Sequence, residues 1–496
     1  MMTVGLRCLR RVLPLALVIV GSSAAYAQFL RTTTQRDFDR GMAMYWGFDY
    51  AEAIRSFRLA ASAEPDNPLS RLAIALSLGP SLNDRGMDAR MKDAFAAAMT
   101  ASELSKRQTG RVRDLADALS FRYTDAEKFD LSALNKAYSD RMRLVADKYP
   151  KDDDIQVLFA ESLMLLTEVT AHTVHSVSSP DALTAVERVL ARNPRHLGAT
   201  HYQIHLLEGV DPKRALPSAR RLDQMRPGAG HLLHMPSHIT LRLGDYHAAL
   251  ASNVRAVAAD RASAIRNNGN EPMMAAHSRE FLATIACITG QSAVAREADD
   301  TIWTQLRFQR WADVLKTPEP KGVVGKLEWR VGRVLALVGT GRLSEAESAR
   351  EDYAIYERTI PADAQWWADP VATALPMFQS EMDARIAWVR GDRASAIQHW
   401  KNAVLAQDRL TRLEAILPWF HPLRESLGAA LYMNGNLAEA ERIFREDLTF
   451  NSESGRSLFG LWKSLEAQKS RDAMAVERRF RAAWRNADVE LTIENL

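Results

Sequence analysis

Two histidine pairs at i, i+4, His201/His205 and His234/His238, are the residues of this chain best placed to do chemistry, with Glu208 just beyond the first pair and His231 just before the second. On a helix, side chains three and four apart share a face with Cβ atoms roughly 5–6 Å apart, so each group aims several imidazoles at one point. Neutral imidazoles gathered in this way, with a carboxylate beside them, suit Zn²⁺, Fe²⁺ or Cu²⁺. The same rings could instead hydrogen-bond a peptide or one another, with no ion present. Met235, Met273 and Met274 nearby would favour copper as soft ligands, yet methionines on an apolar helix more often pack.

Repeats set the elements that must position these side chains. The segment FDYAEAIRSFRLAASAEPDNP places Tyr50, Ala53, Phe57, Ala60 and Pro65 at the spacing of the second helix of a tetratricopeptide repeat. Its alanines let paired helices approach, its aromatic fills the gap between repeats, and its proline ends the helix. Related skeletons recur at Ala182 to Pro194, Ala215 to Pro227 and Gly244 to Ala256, then from Gly290, Gly341, Gly391 and Gly428, with a degenerate copy between Gly460 and Trp484. The expected fold is all-α, a tetratricopeptide-type solenoid of stacked antiparallel helix pairs. We divide it into an N-terminal array over residues 28–260, carrying most of the histidines, and a C-terminal array with a cap over 261–496.

Aligned on Gly244-Asp245-Tyr246, the repeat puts His231, His234 and His238 on a first helix, along the stripe that lines the concave groove of such arrays. Alignment on Gly290 and Ala295 puts His277 on the next first helix; His201, His205 and Glu208 fall on the preceding one. The candidate metal ligands are therefore His201, His205, Glu208, His231, His234, His238 and His277. Pro236 sits inside HLLHMPSHITLRL, where an interior proline costs about 3 kcal/mol, and the spacing predicts a kink there rather than a fresh helix start. The remaining histidines, His172, His175, His196, His247, His399 and His421, read as surface or capping residues. Trp366, Trp367, Trp419 and Phe420 either line a ligand pocket or fill core. Four long connections, Gly79–Asp88, Arg266–Met274, Thr317–Gly325 and Thr359–Pro370, exceed what the repeat needs.

Residues 1–27 read as a secretory signal: Arg7, Arg10 and Arg11 precede an apolar run and the small residues Ala25-Tyr26-Ala27. The run is too short to anchor a chain in a bilayer, so a periplasmic or secreted protein with no transmembrane anchor is expected. Loss of the three leader arginines leaves 61 basic against 61 acidic residues, which gives no basic surface for nucleic acid. Cys287 is the one cysteine after cleavage, so packing and not a disulfide must stabilise the fold.

The stretches HYQIHLLE and PGAGHLLHMPSHI, with FDYAEAIRSFRLAA, ALSLGPSLN and PWFHPLRESLGAALYMNGNLAEAERIFREDL, resemble a family of exported bacterial tetratricopeptide-repeat proteins. The resemblance covers most of the mature chain and is most specific at the two histidine motifs. The chain departs from the family after Asp66 and before Pro418. The resemblance implies the repeat fold and export.

Two functions fit. One is a scaffold whose concave groove takes a protein or peptide partner and includes a histidine-rich transition-metal site. The other is a metal-dependent hydrolase or oxidoreductase, in which the histidines hold an ion with an open position and Glu208 serves as ligand or base. No GxSxG, HExxH, P-loop or dinucleotide fingerprint is present.

Overall fold

The computed structural model describes residues 34–166, 179–411 and 419–496. The leader, His172, His175 and Pro418 lie outside them. The fold is an all-α array of antiparallel helix pairs, each packed chiefly on its neighbours in sequence; among the described residues the only strands are Gln365–Trp366 and Asp369–Pro370, a two-residue antiparallel pair. The expected skeletons appear as helix pairs such as Pro180–Arg192 with Leu197–Leu207, and Val371–Val389 with Arg393–Gln407. The region between Pro68 and Lys148, where no repeat is legible, holds further pairs.

Local chemistry explains the pairing. Helix starts are capped by Asp49, Asp211, Asp245 and Asp392, whose carboxylates accept backbone N–H groups of the first turn. Ahead of the caps, Gly244, Gly290, Gly341, Gly391 and Gly435 are all left-handed. In each case the next residue's N–H reaches a carbonyl five residues back, closing the first helix of the pair. Tyr50, Ala53, Phe57 and Ala60 are buried on one face of Tyr50–Ala63, as the spacing predicts.

The array curls on itself. Asp49 accepts a hydrogen bond from Ser263 and Asn83 touches Met274, so the first pairs close on the Tyr246–Arg266 helix and the loop after it. At the other end, the Asp488 carboxylate caps Ser292 and Ala293, and the Trp484 ring lies against Gly290. The hydrophobic interior falls into a cluster from Met44 to Ile239, a small one from Leu241 to Ala298, and a third from Leu306 to Leu496. The boundary expected at 260/261 falls within the continuous Tyr246–Arg266 helix. No helix among the described residues is long and apolar enough to cross a membrane.

Candidate metal centre

The candidate ligands come from three places in the N-terminal curl. His201 and His205 lie on Leu197–Leu207, a helix buried on every face, with Glu208 as its C-cap residue. His231 and His234 lie on Gly230–His234, and His238 on Pro236–Arg242. Met235 joins these two short helices in right-handed helical conformation, and the second helix starts at Pro236, at the first position proline favours, where the spacing predicted a kink instead; His234 still faces His238. His277 comes from the first turn of Ala275–Ile288.

The rings form two sets. His201, His205 and His231 bring nitrogens together in one; His234, His238 and His277 do so in the other. In the first, His201 Nε2 is 3.0 Å from His205 Nε2 and 3.2 Å from His231 Nε2; in the second, His234 and His238 Nε2 are 2.8 Å apart. Nitrogens bound to one ion at about 2.0–2.1 Å lie roughly 2.9–3.4 Å apart at angles between 90° and tetrahedral, so these spacings suit an ion at each set. The sets adjoin, with ring centroids 5.7 Å apart for His231 and His234 and 6.1 Å for His205 and His238.

What lies behind the rings fixes which nitrogen points inward. His201 Nδ1 is 2.7 Å from the Trp46 carbonyl and donates to it, leaving an Nε2 lone pair. His234 Nδ1 donates to Asn253 Oδ1 at 2.7 Å, and Asn253 Nδ2 donates to the Ala249 carbonyl, which sets the amide orientation. Glu208 lies on the Nδ1 side of both sets, 2.6 Å from His238 Nδ1 and 3.5 Å from His205 Nδ1, outside the converging nitrogens. Tyr45 and Tyr202, the neighbours of Trp46 and His201, both donate to Glu161, which ties the two segments together.

With lone pairs on His201 and His234 Nε2, either His205 or His231 can donate through Nε2 to His201, and His238 can donate through Nε2 to His234. His238 Nδ1, 2.6 Å from Glu208, carries a proton when it donates to the carboxylate, so His238 is an imidazolium whenever it also donates to His234, whereas His205 can stay neutral. Burial, together with the neighbouring imidazoles, pulls His201, His231 and His234 well below the usual histidine range. Burial would raise Glu208, but His238 and His205 outweigh it and hold the carboxyl well below its usual range.

His201, His205, Glu208, His231, His234 and His238 are at most 4% exposed, and His277 is half-buried. The stripe expected along an open concave groove is therefore covered, because the curl brings Phe48 and the Tyr246–Arg266 helix over it. Phe48 stacks on His231 with ring centroids 5.0 Å apart. Sequence reasoning missed Phe48, the Trp46 carbonyl and Asn253. One signal was legible: Phe48-Asp49-Tyr50 matches Gly244-Asp245-Tyr246, with phenylalanine where other repeats have a left-handed glycine, and Phe48 takes that conformation with φ 57°. A bulky residue in this region costs about 1–2 kcal/mol, strain that tends to persist at functional sites.

Of the other histidines, His196 caps Leu197–Leu207, as expected, and half-exposed His399 stays apart from both sets. His421 corrects the surface reading: it is 3% exposed and bonds Glu381, because the C-terminal curl closes over it. Met235 is core and Met273 exposed, and neither belongs to a histidine set.

No family model matches the chain, and no curated protein matches it by sequence. Among solved structures it is similar to yeast Tom70, at 11% identity over 92% of this chain and 94% of that one, with a TM-score of 0.29. It is similar also to the P58(IPK) TPR domain, at 14% identity over 84% and 99%, TM-score 0.23, and to human IFIT1 with m7Gppp-AAAA, at 10% over 91% and 96%, TM-score 0.33. Superpositions this loose carry no functional argument, and the all-α assignment stands on the helix pairing itself.

Proposed function

We propose that the chain is an exported helical-repeat protein whose buried histidine cluster holds two transition-metal ions, one on each three-histidine set. The observation that carries this reading is the convergence of the inward nitrogens while the outward nitrogens of His201 and His234 are held by Trp46 and Asn253. Seven protein groups with one carboxylate among them suit copper or zinc better than magnesium, calcium or manganese, which prefer oxygen ligands. Glu208 is the shared carboxylate behind the rings, orienting His205 and His238 and offsetting part of the ionic charge.

A metal-dependent hydrolase or oxidoreductase is the second reading, favoured by three histidines per ion, which leave a fourth position for water or dioxygen. A protein or peptide partner of the array would meet other surfaces, since these rings are covered.

The test is metal analysis of the untagged mature chain after equilibration with Zn²⁺, Cu²⁺ or Fe²⁺ near neutral pH and removal of free ions. About two ions per chain are expected, with about one retained by His205→Ala and by His238→Ala. Wild-type protein that retains none of the three metals sinks the reading and leaves the histidines as a packed hydrogen-bonded core.

A further inference from the structure

A cavity of about 280 Å³ lies inside the C-terminal curl, apart from the histidine sets, although it begins one helical turn beyond His277, at Glu280. Its walls include Trp303, Trp367, Trp419 and Phe420. The Trp303 ring centroid is 5.0 Å from that of Trp419 and 6.0 Å from that of Trp367. Trp419 donates its indole N–H to Glu381 at 2.7 Å, so its polar edge is engaged away from the space. Trp367 is 49% exposed and left-handed, with φ 54°, held so by the short strand pair on either side of it. That conformation is rare for a bulky residue and sets an indole at the cavity rim instead of in the core.

The charges in the wall are unbalanced. Arg307, its one Lys or Arg, is neutralised by Glu425 through two hydrogen bonds of 2.6 and 3.2 Å. Glu280, Asp299 and Glu328 also line the space; no salt bridge to Asp299 or Glu328 is formed among the described residues, and Asp299 has only the more distant charge of Arg279. Burial raises the pKa of both, as expected of carboxylates short of a counter-charge. Glu328 accepts the Trp366 indole N–H at 2.8 Å, which steadies it without supplying charge. An anion here would meet uncompensated carboxylates; a neutral apolar guest would desolvate them with nothing in return.

We propose that this cavity binds a small organic ammonium ion, its cationic head against the tryptophan faces and countered by Asp299 and Glu328. Aromatic faces attract such heads through the ring quadrupole, and a quaternary head is weakly enough hydrated to leave water. The volume, at the low end for ligand sites, suits a head with a short tail. Asn451 and Ser454 in the wall offer polar atoms to a hydroxyl on that tail.

The test titrates the full mature chain with choline, with benzyltrimethylammonium and with 3,3-dimethylbutan-1-ol, the neutral isostere of choline, followed by tryptophan fluorescence and calorimetry. Running it with added Cu²⁺ and again with chelator keeps it independent of the metal centre. At least one ammonium should saturate, and choline should bind about tenfold or more tightly than its isostere. The near-isosteric pair Asp299→Asn/Glu328→Gln, checked by circular dichroism for unchanged helix content, should abolish that preference. The proposal is overturned if neither ammonium saturates by about 10 mM, weaker than millimolar recognition. It is overturned equally if the isostere binds as well as choline, or if the preference survives in the folded double variant.

Discussion

The two curls differ in what surrounds their most buried polar clusters. In the C-terminal curl several buried charges find partners within the protein, Arg307 with Glu425, Glu381 with His421, and Arg424 with Asp408 and Glu446, while Asp299 and Glu328 at the cavity do not. In the N-terminal curl six histidines form two sets, and the Glu208 carboxylate behind them meets only His205 and His238, with no Lys or Arg paired to it. The N-terminal curl gathers ring nitrogens that could hold a cation from outside. Under the proposed function, the two curls solve the same desolvation problem with the second charge coming from the chain in one and from solution in the other.

The sharpest way to break this contrast is to make the C-terminal curl resemble the N-terminal one. Arg307→Met leaves Glu425, fully buried, without its bidentate partner, and the expected destabilisation is about 3–5 kcal/mol. Chemical denaturation should show the loss whether metal is present or chelated. If added metal rescues the variant, the two curls are not energetically distinct.

A smaller effect is expected at Asp260, a carboxylate in the N-terminal curl that lies against Gly230 at the start of the His231 helix. Burial first, with Asp49 adding to it, pushes its pKa up to about 6. Because the folded-state value is raised, the unfolded chain releases this proton first. Asp260 therefore favours the fold below about pH 4, and its contribution declines as pH rises towards 6, by at most about 3 kcal/mol. Asp260→Asn should flatten that part of the stability profile and raise the melting temperature at pH 7. An unchanged profile means that the Asp260 carboxylate is already satisfied.

The smallest effect sharpens the contrast within the metal centre itself. A Cβ on Gly198 would come within 2.6 Å of the Trp46 ring, whose backbone carbonyl holds His201. Gly198→Ala should cost about 1–3 kcal/mol by overpacking. It should also weaken metal at the His201 set while sparing the His234 set. Competition titrations with a chromophoric chelator would resolve the two, and equal weakening of both would show that they act as one unit.

The repeat grammar was legible because it is local. Alanine spacing, the glycine before an aspartate and the proline after the second helix each act within one helix pair, and the pairs from Tyr50 and Gly244 were placed correctly on that basis. The pairs between Pro68 and Lys148 were missed because their burial comes from neighbours in space and leaves no skeleton in the sequence. The i, i+4 histidine pairs were likewise visible, since helix geometry alone aligns them.

Partitioning the rings into two sets was not visible, nor were Trp46 and Asn253 behind them. These depend on which nitrogen of each ring is held from outside, and the groups that hold them are 155 and 19 residues away in sequence. Sequence by itself thus determined the helix pairs and the residues able to bind a metal. Only the tertiary curl decided that those residues are sealed, that Glu208 stands behind them and that a tryptophan-walled cavity opens beyond His277. The reason is physical: helical periodicity is set by hydrogen bonds four residues long, whereas burial and counter-charge depend on how far the stacked pairs bend before the ends of each curl meet.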